Sequence, residues 1–380
     1  MEHESGAPAP AARLTAKQLQ QRVQDVTADR NQLLAIFASM REGVIAVDQQ
    51  ERILHINEAA ADLLGIAAAD SIGLSLAGVT RLRPFYEAML KTLQSSTPVT
   101  MEAPFGLHGR ELTIEITTRP LHVGGGAQFG AMAVLYDVSE LRRLEAVRRD
   151  FLANVSHELK TPLTAIHGLV ETLIDEPDMD RATQGRFLLK VQSQTVRLTN
   201  LITDILALSR LESQPDSLRQ ELIDLRDPVA ESVQALAPMA DAREVSVNIQ
   251  VPDTPVPVAG DREALRQVVD NLLDNAIKYT PAGGRVDLRL VLDAPDAQLD
   301  VEDTGIGIEP HFQSRIFERF YRVDRARSRE LGGTGLGLSI VRHTVMAMGG
   351  QVAVQSMRGR GSVFQVRLPL APPAGSPPKA

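Results

Sequence analysis

The sequence contains no cysteine and no tryptophan, few aromatic residues and no long apolar run. Without cysteine, the chain cannot form disulfides, zinc–thiolate sites or a catalytic thiol, and it suits a reducing compartment. The scarcity of aromatics argues against a stacking platform for single-stranded nucleic acid. No stretch reaches the roughly 18 consecutive apolar residues that cross a bilayer. We therefore expect the chain, as given, to be soluble and cytoplasmic.

Length and charge limit the possible classes further. A chain of 380 residues is too long for one compact core and predicts two or three domains. Its 43% hydrophobic and 23% charged residues are typical of globular proteins. The formal net charge of −8 argues against a surface that coats nucleic acid, so no direct nucleic-acid partner is expected.

The first part of the chain predicts a disordered N-terminus and a helix over residues 1–29, then a mixed domain over 30–138. Apolar residues from Thr15 onward have helical spacing, which fits a simple amphipathic helix or a dimeric signalling helix. Two strand-like runs, 43–48 and 52–57, flank a polar turn that is typical of a hairpin. Alternating strands are predicted again later in this domain.

Residues 139–213 predict two long helices joined by a short turn. Apolar residues recur about every 3.5 positions along both, which forms a seam for partner helices. One hairpin of this kind has too little core to stand alone. Two copies would complete a four-helix bundle, so a homodimer is expected.

His157 stands out in the first of these helices, within the string FLANVSHELKTPL. Its imidazole is a good nucleophile near neutral pH, and the adjacent Glu158 can orient the ring and accept its proton. Helical spacing places His157 beside the seam, hence exposed, with Thr161 one turn further on. Pro162 removes a helix hydrogen bond and predicts a bend or a loosened turn. Taken alone, a neighbouring His and Glu more often form a solvated surface pair.

A polar helix face follows in the string DNLLDNAIKY, residues 270–279. Asn271, Asn275 and Lys278 are spaced i, i+4 and i+7, which places them on one side of a helix. An amide oxygen is a suitable ligand for Mg²⁺, and a lysine supplies a point charge for phosphate. The alternative is the ordinary polar face of an amphipathic helix.

Two glycine-rich strings and a basic segment come next. DTGIGI (303–308) follows a predicted strand, and its glycines allow close approach of the backbone to a ligand. GGTGLGL (332–338) leads into an apolar helix, where backbone N–H groups and the helix dipole favour phosphate. It is not a P-loop, because no Gly-Lys-Ser/Thr follows. Arginines between the strings, at 319, 322, 325, 327 and 329, favour polyphosphate or form a solvated charged loop.

Together these strings resemble the H, N, G1, F and G2 boxes of sensor histidine kinases, in the family's order. The F box corresponds to FERFYR, residues 317–322. GVIAVD and INEAA, at 43–48 and 56–60, resemble a PAS sensor domain. The resemblance implies a multidomain α+β protein with a PAS domain, a dimeric helical-hairpin four-helix bundle and a GHKL-type α/β sandwich ATPase domain. The expected boundaries are 30–138 for PAS, 139–213 for HisKA, 220–372 for HATPase_c and 373–380 for a disordered tail.

The resemblance also implies a protein-histidine kinase of a two-component system that uses ATP and Mg²⁺. His157 would accept the phosphoryl group with Glu158 as base, and Thr161 would support dephosphorylation of the response regulator. Asn275 would hold Mg²⁺, and Asp303 would accept a hydrogen bond from adenine. The other implied nucleotide-binding residues are Asn271, Lys278, Tyr279, Gly305, Gly307, Gly333, Thr334, Gly335, Leu336 and Gly337.

A finer resemblance links residues 319–338 and the PAS domain to the phosphate-regulon (PhoR) sensor kinases. It implies phosphate-starvation signalling, a PhoB-type regulator and membrane association through segments outside this chain. Two alternatives lack phosphotransfer: a mechanical GHKL ATPase and a PAS-containing regulatory scaffold. Within the PAS region, His55, His108 and His122 have strand or loop contexts that favour ordinary histidines over haem ligands.

Overall fold

The computed structural model divides into two compact units, residues 1–148 and 149–380, which we describe separately. None of the described helices is long and apolar enough to span a membrane. The described residues are 16–107, 109–122, 126–213, 221–324 and 333–371. The predicted disordered ends at 1–13 and 373–380, together with His108, lie outside those ranges.

The first unit is a long helix followed by an antiparallel sheet with short helices. The elements of this unit are α1 (Ala16–Ser39), β1 (Gly43–Asp48), β2 (Ile53–Ile56), α2 (Glu58–Leu64), α3 (Ala68–Ser71), α4 (Leu76–Val79), α5 (Arg83–Ser95), β3 (Val99–Leu107), β4 (Arg110–His122) and β5 (Gln128–Asp137). The strands follow the order β2-β1-β5-β4-β3 in the sheet.

Asn57 connects several parts of this unit. Its side-chain oxygen accepts hydrogen bonds from the N–H groups of Ala60 (3.0 Å) and Val44 (2.8 Å), so it caps α2 and holds β1. The pairing of β1 with β2 confirms the predicted hairpin. His55 is exposed on β2, with its ring against Phe37, and His122 is also exposed.

Two long helices follow, α6 (Ser139–Asp175) and α7 (Arg181–Ser213). The turn between them falls at Glu176–Asp180, as the sequence predicts. Helix α6 continues through Pro162, whose side chain is buried. A buried proline inside a continuous helix shows that the packing outweighs the missing hydrogen bond, and the predicted bend stays a prediction.

The second unit continues as a two-layer α/β sandwich. Its elements are β6 (Glu221–Asp224), α8 (Arg226–Ala242), β7 (Ser246–Gln250), β8 (Pro257–Gly260), α9 (Arg262–Tyr279), β9 (Arg285–Asp293), β10 (Asp296–Asp303), α10 (Pro310–Gln313), α11 (Gly337–Ala347), β11 (Gln351–Met357) and β12 (Gly361–Pro369). The main sheet has the order β11-β12-β10-β9-β7, in which β7 and β9 run parallel. Helices α8, α9 and α11 pack against it.

Helix α9 shows why this sandwich forms. Asp261 caps its start by accepting a hydrogen bond from Ala264 N–H (3.1 Å). Its apolar residues recur at three- and four-residue spacing and are all buried against the sheet. They are Leu265, Val268, Val269, Leu272, Leu273, Ala276 and Ile277. Burying that stripe leaves the opposite, polar side of α9 available for a site.

Candidate functional site

His157 lies exposed on α6, one turn before Thr161. The Thr161 hydroxyl donates to the His157 carbonyl oxygen (3.1 Å), so both side chains lie on the same side of the helix. An exposed imidazole is accessible to a phosphoryl donor and to a partner protein. The structure therefore brings these two predicted residues together.

Glu158 has a more enclosed environment than its neighbour. Its carboxylate accepts from Arg197 of α7 (3.3 Å) and from Arg322, the last residue of the predicted F box (3.1 Å). The side chain of Arg322 is only 6% exposed, and that of Glu158 is 18% exposed. Such charge-assisted bonds, shielded from water, are stronger than surface ion pairs. The predicted base is thus held by two guanidinium groups in this arrangement.

The polar side of α9 carries the next group of predicted residues. Asn271, Asn275, Lys278 and Tyr279 are all partly buried along it. The Lys278 ammonium group pairs with Asp274 at 2.6 Å. Asn271 Nδ2 is buried and has no partner among the described residues. A buried amide N–H₂ without a partner among these residues is available to donate to a polar ligand at this face.

Asp303 closes one end of this site. It is buried at the end of β10, and its Oδ1 accepts a hydrogen bond from Gly305 N–H (2.8 Å). Burial raises the pKa of Asp303, although hydrogen bonds from Gly305 and Ser362 oppose that shift. A Cβ on Gly305 would lie 2.5 Å from the Tyr279 carbonyl oxygen. Glycine is therefore required for the 303–308 string to meet the end of α9.

Gly307 has a similar constraint on the same string. Its φ of +65° is in the left-handed region, and a Cβ there would lie 2.0 Å from the Met357 carbonyl oxygen. This glycine lies in the turn that follows β10, where the string passes close to the end of β11. Its predicted contact with the nucleotide stays a prediction.

The second glycine string meets the other end of α9. Gly337 begins α11, and a Cβ on it would lie 2.6 Å from Asn271 Oδ1. Gly335 has a φ of +76°, and its carbonyl oxygen accepts from Phe320 N–H (2.8 Å). The Thr334 hydroxyl accepts from Leu336 N–H (3.2 Å). The strings at 303–308 and 333–337 are therefore both assembled around α9.

Sequence reasoning missed Asp204 of α7. The Thr334 hydroxyl donates to its carboxylate at 2.8 Å. Burial raises the pKa of Asp204, while the Thr334 hydrogen bond and the Lys278 charge oppose that shift. A signal was available, because Asp204 is spaced i+3 from Leu201 and i−4 from Leu208, both buried. An acid on the apolar side of a helix needs a polar partner.

The residues around Asp204 form the docking face of α7, which we define as Leu201, Asp204, Leu208 and Leu211. Its leucines pack with the two apolar residues Leu336 and Ile340, at and after the 333–337 string. Phe151 of α6 stacks near Phe320, with 5.8 Å between ring centroids. The long helices and the sandwich therefore meet at the glycine string itself.

The structure describes the predicted lid only in part. Arg325, Arg327, Arg329 and Gly332 lie outside the described residues. Arg319 is described and places its guanidinium over the Phe151 ring, 5.5 Å from the centroid.

Three family models match successive parts of the chain. A PAS fold matches 31–138, a His Kinase A (phospho-acceptor) domain matches 147–214, and a Histidine kinase-, DNA gyrase B-, and HSP90-like ATPase matches 260–372. The sensor protein kinase WalK of Staphylococcus aureus is 31% identical over 93% of this chain and 84% of its own length. The chain belongs to the sensor histidine kinase family.

The chain is also similar to other histidine kinases. The sensor histidine kinase WalK of Bacillus subtilis is 33% identical over 90% of the chain, which spans 56% of that relative's length. A solved structure of Acinetobacter baumannii histidine kinase AdeS is 27% identical, covering 56% of this chain and 98% of its own, with a TM-score of 0.47. The predicted multidomain α+β fold is confirmed. The two sequence relatives are named WalK, so the phosphate-regulon subfamily stays a prediction.

Proposed function

We propose that this sensor kinase uses ATP to phosphorylate His157 and then passes the phosphoryl group to an aspartate of a response regulator. One observation carries the proposal. Exposed His157 lies next to Glu158, and Glu158 contacts Arg322 of the nucleotide-binding sandwich at 3.1 Å. The acceptor helix and the ATPase domain therefore meet beside the acceptor itself.

The residues of the sandwich would divide the work of binding ATP. Asp303, buried at the end of β10, would accept a hydrogen bond from adenine. Lys278 and the backbone N–H groups of the 333–337 string, at the start of α11, would face the phosphates. Asn275 would hold Mg²⁺, for which an amide oxygen is a suitable ligand. Mg²⁺ supplies charge neutralisation for the phosphate oxygens when it is bound.

In the transfer step, a ring nitrogen of His157 would form a bond to the γ-phosphorus while the bond to ADP breaks. Glu158 would orient the ring and accept its proton. Since two arginines hold the Glu158 carboxylate in this arrangement, those contacts must loosen before it can do so. Positioning supplies most of the rate in such reactions.

Thr161 supports a second activity at the same place. Its hydroxyl is exposed one turn after His157 and would orient the water that dephosphorylates the regulator. The family resemblance of residues 319–338 supports a PhoB-type regulator and phosphate signalling. The exposed apolar residues along the helical hairpin support a homodimer. Phosphotransfer against a panel of regulators would identify the partner.

The decisive experiment measures labelling from γ-labelled ATP in the full chain. Wild type should acquire an acid-labile, base-stable phosphate, and His157→Ala should acquire none. His167→Ala is the matched control, because His167 is also exposed on α6 and should label normally. Asn275→Ala should abolish labelling by removing the Mg²⁺ ligand.

Three results would contradict the proposal or one of its residue assignments. Hydrolysis of ATP without any phosphohistidine would favour a GHKL ATPase that lacks phosphotransfer. If the chain neither bound nor hydrolysed ATP, that result would favour a PAS-containing scaffold. Normal labelling of Asn275→Ala would show that the Mg²⁺ assignment is wrong.

A further inference from the structure

Asp204 places a negative charge against the phosphate side of the proposed nucleotide site. Its carboxylate is 2.8 Å from the hydroxyl of Thr334, inside the glycine string. That string opens α11, whose first backbone N–H groups attract anions. The Asp204 carboxylate is therefore placed like an anionic ligand of the site, although it belongs to α7.

The charges around Asp204 do not favour a second anion. Lys278 lies close enough to stabilise the charge of Asp204, while Asp274 opposes it. Lys278 is itself paired with Asp274 at 2.6 Å. Lys278 therefore serves two carboxylates among the described residues, which leaves less of its positive charge for the polyphosphate of a nucleotide.

Apolar packing keeps Asp204 in place. Leu201 and Leu208, one turn on either side of it, are buried in the cluster with Leu336 and Ile340. Because these contacts are next to the Thr334 hydrogen bond, α7 cannot withdraw the carboxylate without losing the leucine contacts. Arg322 is held in the same arrangement by Glu158 and by the Gly333 carbonyl oxygen (2.6 Å).

We propose that Asp204 is an intramolecular competitor of the nucleotide: docked on the glycine string, it opposes binding of the ATP polyphosphate until α7 moves away. The inference rests on the proposed function, since it requires that this string receive phosphates. It assigns α7 a direct part in nucleotide affinity. The docked arrangement is then a resting state, in which Thr334 and Glu158 are both already paired.

Nucleotide affinity tests the proposal directly. Titration calorimetry on the full chain would use a non-hydrolysable ATP analogue with Mg²⁺. Asp204→Asn keeps the side-chain shape and an oxygen that can accept from Thr334, but it removes the charge. We expect it to bind the analogue on the order of tenfold more tightly than wild type. Glu171→Gln makes the same charge change at an exposed position of α6 and should leave the affinity unchanged.

Hydrogen exchange gives a second readout in wild type. Adding the analogue should increase exchange of the α7 amides around Asp204, because bound nucleotide displaces the docking face. The competitor role would be overturned if Asp204→Asn bound the analogue no more tightly than wild type, or if hydrogen exchange of α7 did not change. Binding of the analogue by wild type would still leave the proposed function intact. If wild type bound no analogue at all, the proposed function and this inference would both fall.

Discussion

At the scale of single residues, the nucleotide site depends on positions where a side chain has little room. At Gly337 a Cβ would lie 2.6 Å from Asn271 Oδ1, so a side chain fits there only if Asn271 shifts. Gly185 of α7 provides the contrast, because a Cβ on it would meet nothing within 4 Å. Comparing the two glycines thus distinguishes a steric requirement for glycine from the free-energy cost that any glycine has inside a helix.

We predict opposite effects of alanine at these two positions. Gly337→Ala should lower the free energy of unfolding by about 1–3 kcal/mol through overpacking, and it should weaken nucleotide binding. Gly185→Ala should raise that free energy by about 0.5–1 kcal/mol, because alanine loses less backbone entropy in a helix. Urea unfolding followed by circular dichroism checks both. A stable Gly337→Ala variant with normal affinity would show that Asn271 moves aside freely.

Asp303 should show a conflict between stability and binding. Burial raises its pKa, so the folded protein holds this proton more tightly than the unfolded chain does. The ionised carboxylate therefore opposes folding at neutral pH. That opposition fades as the pH falls through the folded-state pKa towards the unfolded value of about 3.9.

We accordingly predict that Asp303→Asn is more stable than wild type at about pH 7 and that the difference shrinks by about pH 4.5. The same variant should bind ATP at least about tenfold more weakly, because its amide N–H₂ would face the adenine amino group. Denaturation at the two pH values and calorimetry would measure these effects. A constant stability difference would contradict the pH argument.

At the scale of elements, much of the architecture could be predicted from the sequence, because its signals are local. The apolar stripe and the Asp261 cap predict α9, and the alternation of apolar and polar residues predicts β4. The contacts of Glu158 with Arg322 and of Thr334 with Asp204 could not be predicted in this way. They join residues 164 and 130 positions apart, and only the packing of α7 on the sandwich brings them together.

The docking face itself gives an element-scale prediction. Leu208→Ala should loosen α7 from the sandwich, because Leu208 is 0% exposed and its loss leaves a cavity worth about 2–5 kcal/mol. Hydrogen exchange of the α7 amides without nucleotide should then be faster. Leu206→Ala is the matched control, since Leu206 is 53% exposed on the same helix. Equal exchange in the two variants would show that these leucines do not hold the docked arrangement.

At the scale of the whole molecule, the two long helices leave large apolar side chains in contact with water. Those on the hairpin include Leu163, Val170, Ile174, Leu188, Leu189 and Val196. Isolated exposed apolar residues are ordinary, but a run of them along two adjoining helices is typical of a surface that pairs with another. A second copy of the hairpin would cover them.

We predict a homodimer with twice the 41.3 kDa chain mass in light scattering. Replacing Val170 and Leu188 together with arginine should give a monomer, because two charges per chain would have to be buried at the interface. Arginine at Ile249, an exposed residue of β7, should leave the dimer intact. A monomeric wild type at micromolar concentration would contradict the predicted four-helix bundle.

The close approach of glycines to α9 has one more consequence. At Gly305 and Gly337 the backbone already lies within a side chain's width of the Tyr279 carbonyl and the Asn271 amide. The walls of the nucleotide site are therefore closely packed at these two glycines, and we expect them to change shape little. We therefore do not expect a signal from elsewhere in the chain to act by changing the shape of the site. We expect it to control access instead, by deciding which surface covers a site that stays the same.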